Sequence, residues 1–157
     1  GRASLRRRRL LEGWLVDGCA CSLGGAFLGL AFLDIDNFKA INDVYGHLTG
    51  DRVLQEVGRA VKGAVRGADL VCRWGGEEFI VIAPNTTAEQ VALVAEKVRL
   101  AVLNELTGQE PPVTISVGVA ASSGRAIDSN ALMARADSAL YRAKDKGRNR
   151  VELAPEE

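Results

Sequence analysis

Leu28-Gly-Leu-Ala-Phe-Leu-Asp-Ile-Asp36 is the stretch that decides the architecture of this chain. Residues 28–35 form a short apolar run, the pattern of a central strand buried on both faces. Asp36 can cap a helix over about 37–44, which Gly46 stops. Downstream, Val53, Leu54, Val57, Val61 and Val65 make the inner stripe of a second helix over about 51–65. Leu70–Trp74 and Phe79–Ala83 read as strands joined across Gly75-Gly76, a hairpin signal. A helix over 88–103 carries Val91, Val94, Val98 and Val102, and a polar loop, 104–111, ends in Pro111-Pro112. Residues 113–121 alternate β-branched and small side chains and read as a strand. A last helix covers 129–145, Gly147 ends it, and 150–153 adds a short strand. Upstream, Leu5, Leu10, Leu11 and Trp14 predict a helix over 2–16, followed by a Gly-rich loop over 19–26.

This order contains β-α-β-β-α-β. The expected class is α+β, a ferredoxin-like βαββαβ sheet with helices packed on one face. Residues 1–27 lead in, 28–153 form the domain, and 154–157 are a polar, frayed tail.

Composition narrows the function classes. The 157 residues are 47% hydrophobic and 25% charged, which suits one soluble domain and excludes a disordered chain. Twenty Lys and Arg balance twenty Asp and Glu, so there is no basic surplus with which to grip nucleic acid. Cys19, Cys21 and Cys72 make an odd count, which argues against a disulfide framework and for a reducing compartment. A structural zinc site is disfavoured because His47 is the only histidine. Cys72, in a strand, reads as inert core. The apolar stretch 23–33 is too short to span a bilayer, and Glu12 and Asp17 follow Arg6–Arg9 where a signal peptide would be apolar. The arginine run reads as a solvated helix face rather than a membrane or phosphate contact. Because the chain starts at Gly1, it reads as a piece of something longer.

Two constellations carry chemistry. In Asp34-Ile-Asp-Asn-Phe-Lys39, a carboxylate at the end of a buried strand is followed at once by a helix start. Asp34 and the Ile35 carbonyl offer hard oxygen ligands, the next amides face anions, and Lys39 can reach a phosphate. Asp36 fits either a ligand or an N-cap, and cap preferences favour the latter. In Arg73-Trp-Gly-Gly-Glu-Glu-Phe79, the glycines permit a tight turn and close approach of a ligand to the backbone. Adjacent glutamates repel one another unless a cation compensates.

With these two segments in place, the chain closely resembles the diguanylate cyclase (GGDEF) family. Asp34 through Asp51, with Asn42, Gly46, His47 and Gly50 between, is similar to the family's signature segment. Gly75-Gly-Glu-Glu-Phe79 is the GGEEF variant of its name motif, and Arg135 through Asn149 resembles its closing helix. The resemblance covers roughly 28–153 and implies a polymerase-palm-like fold that condenses two GTP into cyclic di-GMP and two pyrophosphates. It implies Mg²⁺ or Mn²⁺ held by Asp34, the Ile35 carbonyl and Glu77, with Glu78 helping a second ion. Glu77 is also implied as general base for the ribose 3′-hydroxyl, and Lys39 as a catalytic cation. Asn42 and Asp51 would recognise guanine with His47 between them, beside the Gly75-Gly76 turn. The amides of Asn37 and Phe38, with Lys39, Lys144 and Arg148, would hold the β- and γ-phosphates. One site holds one GTP, so the active unit implied is a homodimer, which need not be long-lived. Asn42, Lys144 and Arg148 also have plain structural readings, as surface helix residues and helix C-terminal cations.

Arg66-Gly-Ala-Asp69 matches the family's Arg-x-x-Asp site for inhibition by product. The family's third residue there is an arginine; Lys97 stands in its place, with Arg99 nearby, and lacks the guanidinium fork. Arg2-Ala3-Ser4 also replaces the Asn-Arg-Arg stretch that follows the family's opening Asp-x-Leu-Thr turn. The resemblance further implies an upstream sensory domain and a cytoplasmic location, as a separate protein or as the cytoplasmic portion of a larger sensor. The alternatives are a catalytically weak module that binds GTP or cyclic di-GMP, and a related cyclase with another base preference.

Overall fold

The computed structural model describes residues 27–122 and 128–155. The expected helix over 2–16, the Arg6–Arg9 run, Cys19 and Cys21 lie outside the described residues. The elements in chain order are β1 (Leu28–Ile35), α1 (Phe38–Tyr45), α2 (His47–Ala64), β2 (Leu70–Arg73), β3 (Glu78–Pro84), α3 (Ala88–Glu105), β4 (Ile115–Ser122), α4 (Ser129–Asp145) and β5 (Val151–Leu153). The sheet runs β2-β3-β1-β4-β5. β1 is antiparallel to both β3 and β4, β2 is antiparallel to β3, and β5 is parallel to β4. The first four strands have the ferredoxin-like order, and β5 extends one edge.

The helices do not all lie on one face. Ala31, Leu33 and Ile35 pack with the apolar stripes of α1, α2 and α3, including Phe38, Val57 and Val98. Leu28, Leu30 and Phe32 point the other way and pack under α4, against Leu132, Ala136 and Leu140. The reason lies in β1 itself. A strand that is apolar on both sides needs cover on both sides, which one layer of helices cannot supply.

Three boundaries also move. Gly46, with φ +88°, closes α1 and opens α2 in a single residue, so α2 starts at His47 rather than Asp51. β4 starts at Ile115 rather than 113. The tail is anchored at its start: Ala154 is buried and its N–H donates to the Val119 carbonyl at 2.8 Å. The α3 start needs no such revision. Thr87 and Gln90 form a reciprocal capping box there, which satisfies amides that the helix leaves without partners.

Candidate active site

The ladder between β1 and β3 sets the acidic side chains beside one another. Asp34 stands opposite Glu78, and the Ile35 N–H donates to the Glu77 carbonyl at 3.2 Å. Asp34, at 5% exposure, accepts a hydrogen bond from Lys144 Nζ on its Oδ2 at 2.6 Å. Its Oδ1 is buried and has no hydrogen-bond partner among the described residues. Burial pushes the Asp34 carboxyl above the usual range, and Asp36 adds to this, even against the pull of Lys144. Glu77 is raised by burial and by Asp34, and Glu78 by burial, Asp34 and Asp137. Three half-buried or buried carboxyls thus crowd one lysine ammonium. Such a cluster is under-compensated and calls for more positive charge.

The donor set tests which cation fits. Among the described residues, no three His, Cys, Asp or Glu side chains form a self-sufficient metal cage. Mg²⁺ does not need one, because it is usually held by one or two carboxylates plus the phosphates and waters of its substrate. An orphaned, buried carboxylate oxygen next to a second acidic side chain fits that pattern, and it does not fit zinc.

The turn between β2 and β3 leaves access to this cluster. Neither Gly75 nor Gly76 takes a left-handed φ, so the tight-turn reason for glycine is not the one that operates. A Cβ on Gly75 would lie 2.7 Å from Glu78 Oε2, whereas nothing lies within 4 Å of a Cβ on Gly76. The turn is held by Arg73, which donates to the Gly75 carbonyl at 3.2 Å and the Gly76 carbonyl at 2.7 Å.

Asp36 does not cap α1. The N-cap of α1 is Asn37, in left-handed backbone without a side-chain cap. Asp36, 4% exposed, instead accepts from Thr114 Oγ1 at 2.7 Å, Ser116 Oγ at 2.6 Å and the Asn149 N–H at 3.0 Å. It ties the end of β1 to β4 and to the segment after α4. This was missed because the competing cap explanation is local, while the true partners lie 78 to 113 residues away. Ser116, fully buried in an apolar strand, was the available signal.

The remaining predicted residues divide by element. Phe38 is buried at the start of α1, and Asn37 and Lys39 beside it are exposed. Asn42 lies against α2, close enough that a Cβ on Gly50 would sit 1.8 Å from its Oδ1. His47 opens α2 and Asp51 lies one turn further along it, and both are exposed. A contact missed from sequence braces this elbow: Tyr45 Oη donates to Glu110 Oε2, and Arg52 Nη2 to the Glu110 carbonyl, both at 3.0 Å. Lys144 is drawn to Asp34, and Arg148 is exposed in left-handed backbone just after α4.

Arg66 and Asp69 form a two-pronged pair, Nε–Oδ2 at 3.0 Å and Nη2–Oδ1 at 2.9 Å, and Arg66 also donates to Thr86 Oγ1. Asp69's side chain is fully covered and Arg66's is 45% exposed, so Arg66 is the member that can meet a ligand. Lys97 lines a groove between α2 and α3, together with Gly63 and Ala64 at the end of the helix that leads to Arg66.

No helix among the described residues is long and apolar enough to cross a membrane. The family model for the diguanylate cyclase GGDEF domain matches residues 4–150. Diguanylate cyclase A of Treponema denticola is 45% identical over 130 residues, covering 81% of this chain and 35% of that protein. The response regulator PleD of Caulobacter vibrioides is 42% identical over 154 residues, covering 94% of this chain and 34% of that protein. The chain therefore spans about a third of the length of these relatives. Among solved structures, the GGDEF domain of DgcB from Caulobacter crescentus in complex with c-di-GMP superposes with a TM-score of 0.78 at 35% identity, covering 87% of this chain and 82% of that one. The GGDEF domain of PA1120 from Pseudomonas aeruginosa gives 0.82 at 31% identity, with 96% of each chain covered. An α+β palm-like sheet, two acidic segments converging across β1 and β3, and this set of relatives together lead to one conclusion: the chain belongs to the diguanylate cyclase GGDEF domain family.

Proposed function

We propose that this chain condenses two GTP molecules into cyclic di-GMP, with release of two pyrophosphates. The observation that carries this reading is the Asp34 carboxylate, half satisfied by Lys144 and half unsatisfied, beside Glu77 in the turn that leads into β3. Asp34, the Ile35 carbonyl and Glu77 would hold Mg²⁺ or Mn²⁺, with Glu78 within reach of a second ion. Such an ion supplies charge stabilisation at the α-phosphate and acidifies the attacking hydroxyl. Glu77 would take the proton of the ribose 3′-hydroxyl as general base. Lys39, Lys144 and Arg148 would neutralise the pyrophosphate. Because one site holds one GTP, two copies face each other for ring closure, and the reaction is second order in protein at low concentration.

Asn42 and Asp51 would read the guanine edge, since together they accept from and donate to its amide-like groups. Gly50→Ala tests this. The new methyl displaces the Asn42 amide, which is the free end of a flexible side chain, so the fold should survive. The expected result is a KM for GTP raised about tenfold with the melting temperature within roughly 2 °C of wild type, read by steady-state kinetics and thermal melting.

We also propose that cyclic di-GMP binds at the site formed by Arg66, Asp69 and Lys97 and restrains the enzyme, more weakly than an Arg-Asp-Arg arrangement would, because Lys97 lacks the guanidinium fork. The location proposed is the cytoplasm, under an upstream sensory domain that brings two copies together. The test is incubation with GTP and Mg²⁺ at high protein concentration and in a forcibly dimerised form. Cyclic di-GMP should accumulate. GTP binding by calorimetry without product from the dimerised form would instead leave a binding module.

A further inference from the structure

Arg148 and Asn149 are consecutive non-glycine residues with φ of +65° and +46°. Left-handed backbone at non-glycine positions is costly and persists only where the surroundings over-determine it. Here several contacts do so. The Arg148 N–H returns to the Ala143 carbonyl at 3.0 Å, the Asn149 N–H donates to Asp36 Oδ2 at 3.0 Å, and the Val117 N–H donates to the Arg150 carbonyl at 2.9 Å. Arg150 Nε also donates to the Arg148 carbonyl at 3.2 Å, and one contact reaches in from another layer: Arg99 Nη1, on α3, donates to Asn149 Oδ1 at 2.8 Å.

Arg99 is itself held in place. Its Nε and Nη2 meet both carboxylate oxygens of Glu96, and its side chain is only 15% exposed. α3 is already fixed to the sheet by Val91, Ala95, Val98 and Val102. The helix therefore does not need this pair for anchorage. What the guanidinium reaches is the side chain of an exposed residue next to Arg148, across 50 positions of sequence. A charged donor locked by its own partner is a rigid arm, and the residue it grips directly follows Arg148 in the same left-handed turn.

We propose that Arg99 is a positioning residue for the triphosphate: through Asn149 it holds the left-handed turn that aims Arg148 at the substrate. This rests on the assignment of Arg148 to the phosphates made above. Arg99 touches neither substrate nor metal, and its effect is transmitted only by Arg148.

The test is a double-mutant cycle on the full chain, read by KM for GTP and by calorimetry with a non-cyclisable GTP analogue and Mg²⁺. Arg99→Ala should raise both constants about tenfold, as the loss of one charge-assisted contact allows. In the Arg148→Ala background the same change should alter them by less than about twofold. Asn149→Gly is the second variant. It removes the acceptor while making the left-handed backbone easier, so the melting temperature should hold or rise as KM climbs. A merely structural pair would give the opposite, a lower melting temperature with KM unmoved. Equal effects of Arg99→Ala in both backgrounds, or none on either constant while wild type binds and turns over, would overturn the inference alone. Failure of the wild-type chain to bind the analogue would instead remove the phosphate assignment beneath it, and the inference with it.

Discussion

Asp34→Asn should cut cyclic di-GMP formation by at least about a thousandfold and, at the same time, raise the melting temperature of the metal-free chain. The activity loss follows from removing the buried oxygen charge that the cation needs. A residue that only supports a ligand from behind would cost roughly 10–100-fold, so the magnitude discriminates. The stability gain follows from the sign of the pKa shift. Burial holds the folded-state pKa of Asp34 above its unfolded value, so the carboxyl is more easily ionised in the unfolded chain. The metal-free protein therefore loses stability as pH rises from the unfolded pKa through the raised folded one, and is level above that. Glu77 and Glu78 are shifted in the same direction and add to the slope. Asn stays neutral throughout and removes the Asp34 contribution. The gap between the two melting curves should be near zero in acid, widen across the carboxylate range and stay constant at neutral pH. Adding Mg²⁺ with a GTP analogue should stabilise wild type and leave the variant almost unmoved. A variant no more stable than wild type at neutral pH would contradict the electrostatic account of the cluster.

Gly118→Ala is expected to be the most damaging single methyl in the described residues. β4 and α4 approach so closely there that an added Cβ would lie 2.1 Å from the Ala136 carbonyl oxygen and 2.2 Å from the Leu140 nitrogen. Both are backbone atoms of a helix, so nothing can rotate away. The whole of α4 must lift from the sheet, giving up the packing of Leu132, Ala136, Ala139 and Leu140 over β1. The expected cost is about 3 kcal/mol or more, or roughly 10 °C in Tm for a chain of this length. Activity should fall further than stability, because α4 carries Lys144 to Asp34. Gly63→Ala is the control. It lies on the exposed side of α2 with nothing within 4 Å of the new methyl, and should gain about 0.5–1 kcal/mol from the helix alone. Both values come from denaturant unfolding followed by circular dichroism.

These two residues also mark what was legible in the sequence. β1 and the α2 and α3 stripes could be read because apolar period and strand-length runs are local properties. Asp34, Glu77 and Glu78 could be singled out because an acidic pair in a turn and an acid at a strand end are locally unfavourable, and such violations point to function. The side of the sheet that α4 covers was not legible from its own residues. Its buried face is largely alanine, and alanines make a weak stripe whose meaning depends on the glycine they sit on, Gly118. Asp36 failed for a related reason. A cap needs only its next three residues, whereas its actual partners, Thr114, Ser116 and Asn149, come together only once β4 and α4 are in place. Lys144 was readable as a cation near the site, yet its pairing with Asp34 spans 110 residues and depends on that same helix placement.

Whether Asp34 and Glu77 share one divalent ion under a nucleoside triphosphate is measured directly by anomalous diffraction from Mn²⁺ in crystals grown with a non-cyclisable GTP analogue. The predicted result is a manganese peak in coordination contact with Asp34 Oδ1, the Ile35 carbonyl and a Glu77 oxygen, with Lys144 moved from Asp34 onto a phosphate. A peak bound by phosphates alone, with the 2.6 Å Lys144–Asp34 contact intact and Oδ1 still uncoordinated, would contradict it.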